Sequence, residues 1–171
     1  MKRLSLFIVN YSLFILFLSG CGGAERPANL PKLYPTSITL TQEGKPLVNA
    51  MVMLYSADAD FKWSVAGITN ASGTAEIKTH GKFSGSPLGE YKVAVSKTEN
   101  PNQGESFDDT EEGQKKRAAA KRQSVAVIYN LVEKQYMERD TTPLLIKIEK
   151  GKNRQTFDAG KAVRIEDKVE L

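Results

Sequence analysis

From Ser37 onward the chain is patterned in twos. Ile38 and Leu40 alternate with Thr39 and Thr41, the period of a half-buried strand. Gln42-Glu43-Gly44-Lys45-Pro46 reads as a turn, with Gly44 free to take positive φ. Residues 50–55 predict the second strand, with Ala50, Val52 and Leu54 on one face and Met51, Met53 and Tyr55 on the other. A third strand is expected over 63–69. Asn70-Ala71-Ser72-Gly73 then makes a hairpin connection, and 74–79 returns. After a loop over 80–87, Leu88-Gly89-Glu90 leads into a strand over 91–95. Tyr91, Val93 and Val95 share one of its faces, and Lys92 and Ala94 the other.

The rhythm breaks over 97–124. Acidic residues (Glu105, Asp108, Asp109, Glu111, Glu112) precede basic ones (Lys115, Lys116, Arg117, Lys121, Arg122). Residues 111–123 suit a short helix with acids at its N-terminus and bases at its C-terminus, as the macrodipole prefers. No apolar stripe obliges that helix to pack, so the expectation is a mobile insertion, with a docking arm as its functional reading. Apolar character returns over 125–132, with a short turn expected towards Tyr136. Residues 144–148 alternate again with Lys147 outward, Gly151-Lys152-Asn153 turns the chain, and 155–159 closes it. The tail 161–171 alternates weakly through Val163, Ile165 and Val169, as an extra edge strand or a frayed end.

Short strands separated by turn signals, with no long helix, indicate an all-β sandwich. Three segments are similar to a known family. Gly44-Lys45-Pro46-Leu47-Val48-Asn49-Ala50-Met51-Val52, then Gly67-Ile68-Thr69-Asn70-Ala71-Ser72-Gly73, then Pro87-Leu88-Gly89-Glu90-Tyr91-Lys92-Val93-Ala94-Val95 resemble the carboxypeptidase-regulatory-like, transthyretin-like domains. Tyr136, Thr142-Pro143-Leu144, Gly151-Lys152-Asn153 and Phe157-Asp158 extend the likeness over residues 36–159. Asn70 stands where that family places aspartate, and Ala75 where it usually places phenylalanine. The resemblance implies an Ig-like or transthyretin-like Greek-key β-sandwich of about seven strands. None of these positions carries chemistry, so it implies a fold rather than a reaction.

The first residues have a different grammar. Lys2 and Arg3 precede an interrupted apolar run, residues 4–18, too short for a spanning helix of about 20 apolar residues. The run ends in Leu18-Ser19-Gly20-Cys21, which resembles the lipobox of bacterial lipoproteins. That resemblance implies cleavage between Gly20 and Cys21, a diacylglyceryl group on the Cys21 thiol and an acyl group on the new amino terminus. An ordinary secretory signal with a stray cysteine is the alternative. Gly22, rather than an aspartate, follows the cysteine, which by resemblance to the sorting rule of enteric bacteria implies the outer membrane. The expected layout is a signal peptide over 1–20, a lipidated Gly- and Pro-rich tether over 21–35, the β-sandwich over 36–160 with its insertion at 97–124, and a C-terminal tail over 161–171.

Composition narrows the chemistry. The formal charge of +4 falls to about +2 once Lys2 and Arg3 leave, too little to argue for nucleic acid. Cys21 is the only cysteine, so no disulfide forms within the chain, and His80 is the only histidine. A Ser-His-acid triad would have to use His80, in a Gly-rich loop without a nucleophile elbow. A zinc site lacks ligands. Transthyretin-like hydrolases rely on several histidines and a C-terminal Tyr-Arg-Gly-Ser motif that this chain lacks. No catalytic residue, metal site or cofactor is expected, and such a hydrolase or another envelope enzyme is the lesser alternative. Asp58 and Asp60 alternate like cation ligands, but without the glycine and distal glutamate of an EF-hand they read as a solvated loop. Tyr55, Phe61 and Trp63 lie close in sequence, either as core residues or as a stacking platform for a glycan. The expected partners are membrane lipid through acylated Cys21 and an envelope protein or glycan.

Overall fold

The computed structural model describes residues 26–100, 110–112, 114–115 and 125–170. Two compact units divide the chain, Met1–Leu30 and Pro31–Leu171. In the first, the described residues form a turn in which the Leu30 N–H donates to the Pro27 carbonyl at 3.0 Å. The expected cleavage and lipidation site, Gly20 and Cys21, lies outside the described residues.

The second unit opens with β1 (Thr36–Gln42), whose alternation buries Thr36, Ile38 and Leu40 as the sequence pattern requires. Glu43 and Gly44, at φ 52° and 76°, turn it into β2 (Lys45–Pro46). Two consecutive positive φ values are what a two-residue hairpin of the right twist needs. β3 (Met51–Ser56) keeps Val52 and Leu54 inside, with Ala50 buried just before it. β4 (Val65–Ile68) is shorter than the expected strand.

The return strand over 74–79 is corrected in one respect: it is two strands in two sheets. β5 (Thr74–Glu76) pairs with β1, whereas β6 (Lys78–Thr79) pairs with β4. The switch falls at Ile77, whose N–H donates to the Thr36 carbonyl and whose carbonyl accepts from the Gly85 N–H. Ala75, Ile77 and Thr79 stay buried throughout, so the inside–outside period never changes while the pairing partner does. Gly67 makes the crossing possible, because a Cβ there would stand 2.9 Å from the Glu76 carbonyl oxygen and 3.2 Å from the Ala75 Cβ. Ala75 is fully buried at this close approach, where a small side chain fits.

β7 (Phe83–Ser84) folds back on β6 within the expected loop. Next come β8 (Gly89–Ser96), β9 (Thr98–Glu99), β10 (Val125–Asn130), the single turn of α1 (Lys134–Met137), β11 (Leu145–Ile148), β12 (Asn153–Asp158) and β13 (Ile165–Glu170). They make a six-stranded sheet in the order β11-β8-β3-β4-β6-β7, and a four-stranded one in which β1 is flanked by β12 and by β2 and β5. β1 and β12, near the two ends of the unit, pair in parallel over six residues, and every other ladder is antiparallel. Ile38, Leu40 and Ala75 of the smaller sheet join Val52, Leu54, Val65, Tyr91, Val93 and Val95 of the larger in one buried cluster. The fold is all-β and consistent with a sandwich.

A third sheet, β13-β10-β9, stands apart from these two. It settles the tail as an edge strand, since β13 pairs with β10 from Ile165↔Asn130 to Glu170↔Val125. It also takes Thr98 and Glu99 out of the expected insertion and into a ladder with β10. Of the expected helix, the described part is helical backbone near residue 111, where the Gln114 N–H donates to the Thr110 carbonyl at 2.9 Å. Within the expected insertion, residues 101–109, 113 and 116–124 lie outside the described residues.

Candidate functional site

The site grows out of the end of β3. Val52 and Leu54 point into the core, so Met51, Met53 and Tyr55 point out of the six-stranded sheet. The register then fills the same outer face. Met51 stands opposite Ile68, Met53 opposite Ala66 and Ala94, and Tyr55 opposite Lys92, which in turn faces Leu145. Met51, Met53, Ile68 and Leu145 are 44%, 36%, 63% and 64% exposed, four of the six large exposed apolar side chains among the described residues. An antiparallel sheet normally turns a polar face to water, so this one is unusual.

Beyond Tyr55 the chain makes a self-bonded loop. Ser56 Oγ accepts from the Asp58 N–H and Asp58 Oδ1 from the Asp60 N–H, each at 3.0 Å. The two aspartates are thus exposed turn-formers, and among the described residues no group of three potential metal ligands assembles. Phe61 pins the loop by packing nearly perpendicular to the Tyr91 ring, with centroids 5.7 Å apart. Tyr91 is held in turn by its hydroxyl donating to the Pro87 carbonyl at 3.0 Å. Burial raises the Tyr91 pKa, with the Asp58 charge adding to the rise and a hydrogen bond with Ser86 opposing it. Trp63 meets His80 edge-on at 6.0 Å. His80 itself is exposed on the β6–β7 turn at φ 54°, and among the described residues no hydroxyl or carboxylate bonds its ring.

Tyr55, Phe61 and Trp63 are therefore brought together, but not equally. All three are half-exposed, and of them Phe61 packs against the core cluster. All three line a cavity of about 260 Å³ with Met53, Ser56, Asp58, Ser64 and Arg139. Arg139 was not foreseen from the sequence. It arrives from the α1–β11 connection, 83 residues away, and its Nη2 donates to the Ser56 carbonyl at 3.2 Å. Among the described residues it forms no ion pair. No local pattern could have announced it, since Glu138-Arg139-Asp140 reads as an ordinary solvated run.

A second cavity, about 450 Å³, lies between α1 and β13. Its polar groups answer one another: Lys134 pairs with Glu138 at 3.8 Å, and Asn130 Nδ2 donates to Asp167 Oδ2 at 3.5 Å. The Tyr55 cavity holds Arg139, which has no acidic partner among the described residues, beside half-exposed rings, and is the better candidate. No family model, curated protein or solved structure matches the chain.

Proposed function

We propose that the chain is a lipid-anchored, non-catalytic β-sandwich module of the bacterial cell envelope. It binds a protein or glycan partner, or supports an envelope assembly, through the outer face of its six-stranded sheet. The observation that carries the binding role is the concentration of exposed Met51, Met53, Ile68 and Leu145 on the same face as the Tyr55 cavity. Apolar surface of this kind marks interaction sites, because leaving it in water forgoes about 25 cal/mol per Å². Met51 and Met53 suit such a face, since their unbranched, polarisable chains adapt to a partner.

The anchor rests on Leu18-Ser19-Gly20-Cys21 behind its basic and apolar run. Acyl chains contribute about 0.8 kcal/mol per buried methylene, and more than one chain on Cys21 holds a protein on a membrane stably. The carboxypeptidase-regulatory-like, transthyretin-like reading of the sandwich is supported by the three sequence segments. One of them gains a physical account: Asn70 Oδ1, in the place of that family's aspartate, accepts from Ser72 N–H, Ser72 Oγ and Thr74 N–H. The parallel β1–β12 pairing suits a Greek-key sandwich closed by its terminal strands.

The test joins localisation to capture. A photo-crosslinker placed at Ile68 in cells should yield one dominant adduct, and Cys21→Ser should move the protein from the membrane to the soluble fraction. An unmoved Cys21→Ser protein would sink the anchor, and an adduct-free Ile68 together with an empty cavity would sink the binding role.

A further inference from the structure

We propose that the cavity bounded by Tyr55, Trp63 and Arg139 binds an acidic pyranose, one ring of a saccharide chain bearing a carboxylate. The inference rests on the binding-module reading and names its ligand class.

Size comes first. The cavity, about 260 Å³, falls just below the roughly 300–1,000 Å³ of sites for drug-sized ligands. It suits a single ring with its substituents better than an extended cofactor. Chemistry comes second. A pyranose has an apolar C–H face and a polar rim of hydroxyls. The half-exposed rings of Tyr55 and Trp63 offer surfaces for the first. Ser56, Ser64 and Asp58 offer hydrogen-bonding groups for the second.

Charge decides between neutral and acidic sugars. Arg139 donates one bond to the Ser56 carbonyl. A guanidinium has five N–H donors in a planar fork matched to a carboxylate. Among the described residues no acid pairs with it. Asp58, the acid lining the same cavity, already has Oδ1 engaged by the Asp60 N–H and leaves its other oxygen for a ring hydroxyl. The walls are also set in advance: Phe61 is fixed on Tyr91 and Trp63 against His80, so little ordering is needed on binding.

Trp63 is the only tryptophan in the chain, so intrinsic fluorescence reports from inside the proposed site. The full lipidated chain, in detergent, is titrated with an oligogalacturonate and with a neutral cello-oligosaccharide. The oligogalacturonate should give a saturable change at least about ten-fold tighter than the neutral sugar, the worth of one charge-assisted hydrogen bond. Arg139→Gln should erase that preference with the circular-dichroism spectrum unchanged, and Tyr55→Ala should weaken both sugars. A silent Trp63 with both sugars, equal binding of the two, or an Arg139→Gln protein that keeps the preference would each overturn the proposal. Silent sugars beside a dominant Ile68 adduct would remove the saccharide and leave the binding module standing. Silence in both experiments would remove both.

Discussion

The two faces of β3 are equally greasy and have opposite fates. Met51, Val52, Met53 and Leu54 are consecutive, and each has an apolar side chain. Val52 and Leu54 are 0% and 4% exposed, Met51 and Met53 44% and 36%. The inner pair is β-branched or branched at Cγ and packs in few rotamers, while the outer pair is unbranched and soft. The difference teaches that hydrophobicity alone does not say which face is core. What separates them is the opposing layer: Ile38 and Leu40 of β1 share the buried cluster with Val52 and Leu54, and Met51 and Met53 are not members of it.

The sharpest way to break this contrast is to cut into the inner face. Leu54→Ala should cost about 2–5 kcal/mol, because the lost burial and the cavity left behind add together. Urea denaturation followed by circular dichroism measures it. A cost below about 1 kcal/mol would mean that the inner face is loosely packed and the two faces are more alike than their exposures say.

How much of this was written in the sequence depends on range. The inward sets Ile38/Leu40, Val52/Leu54 and Tyr91/Val93/Val95 were legible because period two is a local property of a strand. The closeness of Tyr55, Phe61 and Trp63 was legible for the same reason: they span nine residues. The sheet switch at Ile77 was not, since Ala75, Ile77 and Thr79 keep one parity while their hydrogen bonds change sheets. Nor was the β10–β13 ladder, which joins residues about forty apart and is specified by no turn between them. Arg139 escaped because a cavity wall built from distant segments leaves no mark in either.

Polar groups on the inner face give the next test. Thr69 follows Gly67 on that side and is 1% exposed. Its Oγ1 donates to the Leu47 carbonyl at 2.6 Å and accepts from the Ala50 N–H at 2.8 Å. Among the described residues no buried side-chain polar atom lacks a partner. Thr69→Val preserves shape but strips both bonds, and should cost about 1–3 kcal/mol by the same unfolding measurement. A neutral outcome would show that water or a backbone shift replaces them.

Tyr91 tests the inner face more gently and through pH. Tyr91→Phe loses the bond to the Pro87 carbonyl, about 1 kcal/mol near neutrality. The folded protein holds the phenolic proton more tightly than the unfolded chain, because burial raises the pKa from its ordinary 10.0. The stabilisation from that protonated phenol is therefore complete below pH 10.0 and drains away as pH rises through the raised value. Unfolding free energies compared between pH 9 and pH 11 should fall more in the parent than in Tyr91→Phe, so the gap between them narrows. A constant gap would mean that the ring is not protected from ionisation.

The smallest effect is expected on the outer face. Met51 and Ile68 stand directly opposite one another. Charging them as Met51→Lys with Ile68→Glu places an opposite-charge pair across the strands, an arrangement worth about 0.2–1 kcal/mol. Exposed positions outside special features usually move stability by no more than about 0.5 kcal/mol. The double substitution should therefore leave the denaturation midpoint close to that of the parent and abolish crosslinking to the partner from a photo-crosslinker moved to Leu145 on the same face. Stability and binding would then be separable on a single strand, with alternate residues serving each. Should the double variant instead unfold as readily as Leu54→Ala, the methionine face would be a structural layer like the one behind it, and the partner would have to bind elsewhere.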